Sequence, residues 1–295
     1  MEKVSFFSGL EYRLAGNLYR PRGASMKERR PAVVVVYGYA SWKERYSTKV
    51  AERLAEYGYP SLAFDFRGFG ASQGPRWRLI VSEQIEDIAN ATTFLQGCPG
   101  VDPSRVVLLG VSLGGSEVVQ AGATDDRVTG VISIAPFGDG ERFLRNNRTY
   151  YEWRRYKEML QEDAYRAVKT GKSERVHPVD IQEPPPNWRK EWERTFKIYP
   201  EREKMRFPLE SARSLARFRP ELVAGSISPR PLLVVSDHED MLVAEEEQKS
   251  IFIRAGEPKR FRSVYFGGHH LHDTKGFEVV MKLIRDWLAE YFPKS

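Results

Sequence analysis

Short runs of branched apolar residues alternate with longer amphipathic stretches over most of this chain. The runs AVVVVY at 32–37 and PLLVV at 231–235 have the length of a strand and contain no charged residue. An apolar run without polar alternation is typical of a strand that is buried on both faces. Strands of this kind that alternate with helices form a parallel sheet covered by helices. The pattern therefore predicts an α/β fold.

The alternation also predicts the individual elements. Residues 11–20 follow the apolar VSFF and predict an opening antiparallel pair of strands. Later strands are predicted at 32–37, 61–66, 105–110, 128–135, 231–235 and 262–266. Helices are predicted at 44–57, 81–96, 113–122, 243–255 and 275–291, because apolar residues recur there at helical spacing. We therefore expect a mostly parallel central sheet flanked by helices.

The alternation stops between residues 137 and 225. This segment is polar and aromatic, is helical in parts and contains a PPP run at 184–186. It is too long for a simple loop. Because ligands bind at the carboxyl edge of open α/β sheets, we expect it to form a helical cap over that edge. The predicted organisation is a core of residues 1–136 and 226–295, with the cap inserted after the sixth strand.

Composition excludes several classes of protein. No apolar run approaches the length of a transmembrane helix, and the first residues contain no apolar leader segment. The single cysteine, Cys98, excludes an internal disulfide. These features favour a cytoplasmic protein without membrane contact. The net charge of +6 is explained by solvated arginines; because the densest basic stretch, 142–155, also fits an amphipathic helix, we expect no nucleic-acid partner.

One motif points to chemistry. The sequence GVSLG at 110–114 lies between a predicted strand and a predicted helix. This is the G-x-S-x-G pattern of a nucleophile elbow, a sharp strand-to-helix turn that exposes a serine hydroxyl. Ser112 is therefore a candidate nucleophile, and the backbone N–H of Leu113 is a candidate donor to an oxyanion. The alternative is a tight turn with a capping serine.

A serine hydroxyl is a weak nucleophile and needs a general base. Two segments that follow late predicted strands offer partners: SDHEDMLV at 236–243 has three carboxylates, and GGHHLHD at 267–273 has three histidines. The histidines could also suggest a metal ion. Because ligands so close together in one loop point in different directions, we expect neither a metal nor another cofactor.

These motifs resemble the α/β-hydrolase superfamily, in particular the dienelactone-hydrolase-like and FrsA-like serine hydrolases. The resemblance covers nearly the whole chain outside the insert and includes DFRGFGASQG at 65–74. VSDHEDMLV resembles the family's HGxxD-x-LV segment, which implies that Asp240 is the triad acid. FGGH resembles the family's G-x-G-H segment, which implies that His269 is the base. His270 and His272 remain alternatives for the base, and Asp237 stands where the family prefers glycine.

The resemblance also implies a second oxyanion donor. In relatives the loop after the third strand often reads His-Gly-x, and x donates its backbone N–H. Here the loop reads Tyr37-Gly38-Tyr39, so the implied donor is the Tyr39 amide; a hydroxyl of Tyr37 or Tyr39 is the alternative. In the insert, three large aromatic residues could wall an acyl pocket or instead pack the cap against the core: Trp153, Tyr156 and Trp188.

The implied activity is hydrolysis of a carboxylic ester in a small-molecule acyl substrate, through an acyl-serine intermediate on Ser112 with His269 and Asp240. Acyl transfer, thioester or amide hydrolysis and C–C bond hydrolysis use the same constellation and stay open. The alternative outside enzymes is a catalytically silent binding module. A homodimer formed through the cap is also open.

Overall fold

The computed structural model describes residues 1–9, 11–44, 46–185, 190, 203–265, 268–269 and 276–294. Its central sheet consists of β1 (Glu2–Ser8), β2 (Tyr12–Tyr19), β3 (Arg30–Val36), β4 (Ser61–Phe64), β5 (Val101–Val111), β6 (Val128–Ile134), β9 (Leu232–Asp237) and β10 (Lys259–Val264). The spatial order is β1-β2-β4-β3-β5-β6-β9-β10. Strand β2 pairs antiparallel with β1 and β4, and all other neighbouring strands in this sheet run parallel.

Helices cover both faces of the sheet. The described α-helices are α1 (Ser47–Glu56), α2 (Val81–Gln96), α3 (Leu113–Thr124), α4 (Gly140–Asn146), α5 (Tyr150–Thr170), α6 (Pro178–Ile181), α7 (Leu209–Arg217), α8 (Glu245–Arg254) and α9 (Gly276–Tyr291). Val33 and Val35 pack with α1 and α9, whereas Val34 and Val36 pack with α2 and α3. Successive residues of one strand thus enter two separate cores, as expected for a strand buried on both faces.

Helices α4 to α7 lie between β6 and β9 in the sequence. The same segment contains a separate antiparallel pair, β7 (Arg175–Val176) with β8 (Phe207–Pro208), and two 3₁₀ turns, Pro220–Leu222 and Ala224–Ile227. Its buried side chains, among them Phe143, Trp153 and Phe207, belong to the same hydrophobic cluster as α2 and α3. Whether residues 137–225 act as a cap domain stays a prediction.

The parallel sheet and its flanking helices confirm the predicted fold class. The last strand occupies Lys259–Val264 rather than the predicted 262–266. It is the outermost strand beside β9, and its charged residues, such as Arg262, face solvent, so its beginning lacks the apolar signal of a central strand. Among the described helices, none is long and apolar enough to cross a membrane.

Candidate active site

Ser112 lies between β5 and α3 in a strained backbone conformation. Its φ of 61° and ψ of −127° lie in a region that non-glycine residues rarely occupy. Glycines make the turn sterically feasible: a Cβ at Gly110 would lie 2.0 Å from the Gly114 carbonyl oxygen, and a Cβ at Gly38 would lie 2.8 Å from Ser112 Cβ. The Ser112 N–H donates to the Ile134 carbonyl at 2.8 Å. The fold therefore holds a partly exposed serine at the carboxyl end of β5.

An imidazole lies directly against this serine. His269 Nε2 is 2.7 Å from Ser112 Oγ, although the two residues are 157 positions apart in the sequence. The His269 side chain is 6% exposed. Gly268, just before it, has a φ of 115°, which glycine adopts without a steric penalty. This distance allows the hydroxyl proton to pass directly to the imidazole.

A carboxylate lies on the other side of the ring. Asp240 Oδ2 is 2.7 Å from His269 Nδ1. The second carboxylate oxygen, Oδ1, accepts hydrogen bonds from the backbone N–H groups of Leu242 and Val243, each at 2.9 Å. The Asp240 side chain is therefore held by its own loop and can fix the orientation of the imidazole. Because β5, β9 and β10 run parallel, the three side chains meet at the edge where their carboxyl ends lie.

The chain also matches the model of a known protein family. The model of the serine aminopeptidase S33 family matches residues 27–273. The chain belongs to this family of α/β-hydrolases. The resemblance to α/β-hydrolases is thereby confirmed, whereas membership of the dienelactone-hydrolase-like or FrsA-like group stays a prediction.

Individual S33-like relatives carry different activities in their names. The chain is 36% identical over 135 residues to the quorum-quenching protein AidA of Acinetobacter baumannii; this match covers 45% of the chain and 43% of AidA. It is 30% identical over 288 residues to the polyketide transferase ATR5 of Stachybotrys chlorohalonatus, covering 91% and 89% of the two chains. The solved structure of the α/β-hydrolase GrgF from Penicillium sp. superposes with a TM-score of 0.79 at 24% identity, covering 99% and 98%; this likeness concerns the fold.

The loop after β3 contacts the elbow of this S33 hydrolase. A Cβ at Gly38 would lie 3.2 Å from the Leu113 nitrogen, so the loop backbone passes close to the start of α3. The Leu113 N–H belongs to the first turn of α3, which has no helical acceptor. The Tyr39 hydroxyl donates to the Pro178 carbonyl at 2.9 Å, and the Tyr37 ring stacks on Tyr46 with centroids 4.1 Å apart. Both predicted oxyanion donors, the Leu113 and Tyr39 amides, stay predictions.

A buried ion pair that sequence analysis missed ties this loop to the loop after β4. Lys43 Nζ lies 2.7 Å from Asp65 Oδ2, and the two side chains are 4% and 0% exposed. The Lys43 N–H donates to Asp65 Oδ1 at 2.7 Å, and the Ala71 N–H donates to Asp65 Oδ2 at 2.9 Å. A lysine in a polar loop is normally solvated, so no sequence signal marks Lys43. The pair fixes the position of the loop that carries Tyr39.

Two of the three insert residues predicted to line a pocket are buried. Trp153 and Tyr156 are 5% and 6% exposed, and their rings stack with centroids 5.7 Å apart. The Tyr156 hydroxyl donates to the Ile181 carbonyl at 3.2 Å. Both residues thus pack inside the insert, and their role as walls of an acyl pocket stays a prediction. Trp188, the third residue predicted to line the pocket, lies outside the described residues.

The alternatives for the base and for a metal site involve the same loop. His270 and His272 lie outside the described residues, so their predicted alternative role as the base is untested. In the described part of the chain, no group of three or more histidine, cysteine, aspartate and glutamate side chains could hold a metal ion. That the protein works without a metal or another cofactor stays a prediction.

A buried carboxyl group in α3 takes no part in the hydrogen bonds among Ser112, His269 and Asp240. Glu117 is 0% exposed, and neither of its carboxyl oxygens has a hydrogen-bond partner in the described part of the chain. Burial, followed by the negative charge of Asp87, raises the pKa of Glu117 well above its ordinary value of 4.5. The folded state therefore favours the protonated carboxyl, since an unpaired buried charge is costly.

This shift predicts how stability depends on pH. As pH rises above 4.5, the unfolded chain releases the Glu117 proton while the folded chain retains it, so this group lowers the free energy of unfolding progressively until pH passes the raised pKa. We expect Glu117→Met to remove this loss and to stabilise the protein at neutral pH by about 1–3 kcal/mol, because an unsatisfied buried polar group disappears. Urea unfolding at several pH values measures both effects.

A matched control separates burial from the substitution itself. Glu158, whose side chain is 62% exposed, lies in α5. Glu158→Met should leave both the stability and its pH dependence nearly unchanged. A Glu117→Met protein that is no more stable than the wild type and keeps the same pH dependence would contradict the assignment.

Proposed function

We propose that this protein is a serine hydrolase that cleaves a carboxylic ester through an acyl-serine intermediate. The observation that carries the proposal is the continuous hydrogen-bond chain Asp240–His269–Ser112, in which both links measure 2.7 Å. Family membership supports hydrolase chemistry, because the chain is an S33-type α/β-hydrolase. The ester as the bond cleaved, the cytoplasm as the location and a small acyl compound as the substrate are parts of this proposal.

The geometry supports the following sequence of bond changes. Ser112 Oγ attacks the acyl carbon while His269 Nε2 takes its proton, and Asp240 stabilises the resulting imidazolium. The negative oxygen of the tetrahedral intermediate accepts hydrogen bonds from the backbone N–H groups of Leu113 and Tyr39. The carbon–oxygen bond of the ester then breaks, and His269 protonates the departing alcohol. Water, deprotonated by His269, then attacks the acyl carbon. The bond to Ser112 Oγ breaks, the carboxylic acid leaves, and His269 returns the proton to Ser112 Oγ.

A fluorophosphonate probe tests the nucleophile without a known substrate. We expect the folded protein to be labelled stoichiometrically, with the label on the peptide that contains Ser112, because the probe reacts with a serine that a neighbouring base activates. The heat-denatured protein should not be labelled. Turnover of p-nitrophenyl acetate and butyrate should accompany labelling. A folded protein that takes up no label and cleaves neither ester would instead favour a catalytically silent binding module.

Acyl transfer is the second candidate, and one relative supports it. The polyketide transferase ATR5 aligns with 91% of the chain at 30% identity. A transferase would pass the acyl group from Ser112 to an alcohol or amine instead of to water. Products of p-nitrophenyl butyrate turnover in the presence of an added alcohol separate the two functions: butyrate alone indicates hydrolysis, and a butyryl ester in excess of butyrate indicates transfer.

A further inference from the structure

We propose that Asp237 is a positioning residue that fixes the loop of the general base, His269, relative to the loop of the acid, Asp240. This inference rests on the proposed function, because it concerns how Ser112, His269 and Asp240 are kept together. Asp237 is the last residue of β9 and is 1% exposed. The resemblance noted from the sequence implies glycine at this position, so the carboxyl group departs from the implied pattern.

The two carboxylate oxygens of Asp237 bind different loops. Oδ1 accepts a hydrogen bond from the N–H of Glu239, and Oδ2 accepts one from the N–H of Gly268, each at 2.9 Å. Glu239 directly precedes Asp240, and Gly268 directly precedes His269. A single buried carboxylate therefore connects the residues next to the acid and to the base.

The sheet alone does not supply this connection. Strand β10 ends at Val264, which pairs with Asp237, and the His238 N–H still donates to the Val264 carbonyl at 3.0 Å. Among the described residues that follow, Tyr265, Gly268 and His269 lie outside the ladder. The hydrogen bond between Gly268 and Asp237 thus connects the end of β9 to the base loop beyond the last paired residue of β10. Glycine at position 237 would have no side-chain acceptor for either N–H group.

The orientation of Gly268 makes this tie effective. Its φ of 115° sets the direction in which the chain enters His269. Fixing the Gly268 N–H therefore fixes the backbone that carries the imidazole. Displacements of about 1 Å in a catalytic group can cost about 100-fold in rate, so a loose base loop would lower turnover without altering how substrate binds.

The test uses the isosteric variant Asp237→Asn. An amide has one acceptor oxygen, and its NH₂ group faces an N–H where the second oxygen was, so one of the two ties is lost. We expect kcat for p-nitrophenyl butyrate to fall about 10- to 100-fold with KM nearly unchanged. The rate of fluorophosphonate labelling should fall by the same factor. The far-downfield proton resonance of His269 Nδ1–H, which reports the bond to Asp240, should broaden or disappear.

Asp102→Asn is the matched control. Asp102 also binds a backbone N–H, that of Ser104 at 3.0 Å, but it lies near the opposite end of β5. The control should lower the melting temperature while leaving kcat, labelling rate and the resonance unchanged. If Asp237→Asn changes only the melting temperature, as the control does, Asp237 is a structural residue and the inference is overturned.

Two further measurements keep the outcomes distinct. If Asp237→Asn does not fold, hydrogen exchange of the wild-type protein still tests the ties: the Gly268 and Glu239 amides should be protected, and rapid exchange at Gly268 overturns the inference. If the wild-type protein itself is not labelled by the fluorophosphonate, the proposed function fails. A labelled wild type with an equally reactive Asp237→Asn variant refutes only the role of Asp237.

Discussion

Replacing Ser112 by alanine should lower kcat for p-nitrophenyl esters by about 10⁵- to 10⁶-fold. The reason is that the variant has no atom to form the acyl intermediate, whereas the imidazole and the proposed oxyanion donors remain. The residual rate should come from binding and from polarisation of the ester alone. The fold should persist, because the Ser112 backbone N–H still donates to the Ile134 carbonyl. Steady-state kinetics and thermal unfolding on the same preparation measure the two effects.

Ser116, one turn further along α3, gives the matched control. Its hydroxyl donates to the Phe137 carbonyl at 2.8 Å and accepts the Phe137 N–H at 2.9 Å, and the residue is 0% exposed. Ser116→Ala should cost about 1–2 kcal/mol of stability and leave kcat nearly intact. A Ser112→Ala enzyme that keeps more than about a tenth of wild-type activity would show that another nucleophile does the chemistry.

Replacing His269 by alanine should lower kcat by a similar factor, about 10⁵- to 10⁶-fold, because nucleophile and base act as one unit. Nε2 is the atom 2.7 Å from Ser112 Oγ, so its removal takes away the group that would receive the Ser112 proton. The loss should appear at every pH at which the wild type is active. Fluorophosphonate labelling of Ser112 should slow in parallel, since it needs the same activation.

The neighbouring histidines are the controls for this assignment. His270→Ala and His272→Ala change the same loop and should keep most of the activity. If His272→Ala alone abolished turnover while His269→Ala remained active, the base would be wrongly assigned. Similar losses for all three variants would indicate damage to the loop, and circular dichroism together with labelling of Ser112 would then separate misfolding from lost chemistry.

The sheet could be predicted from sequence because its central strands are buried on both faces. The run at 32–37 has no competing interpretation, since four successive valines in β3 enter two cores. The prediction missed the start of β10, which has no neighbour on one side in the described sheet and begins with charged residues instead of apolar ones. Periodicity reports burial, so an exposed edge strand gives only a weak signal.

The site could be predicted in part. The elbow at Ser112 has a local signature, because steric constraints within a few residues require glycine on both sides. The bond between His269 and Ser112 joins residues 157 positions apart, and only the family resemblance brought them together. The burial of Lys43 and Glu117 could not be predicted, because it depends on residues distant in sequence. The two hydrogen bonds of the Asp237 carboxylate could not be predicted either, because one partner, Gly268, lies 31 positions away.

Strand β10 is one of the two edge strands of the described sheet and is paired there only with β9. Border strands fray before interior strands, since half of their ladder is missing. The segment that carries His269 starts from the end of this strand, so heat or denaturant can detach the imidazole from Ser112 while the interior strands remain paired. The persistence of the contact between His269 and Ser112 therefore depends on an edge strand and on the bond from Gly268 to Asp237 that supports it, and not on the well-packed centre of the sheet.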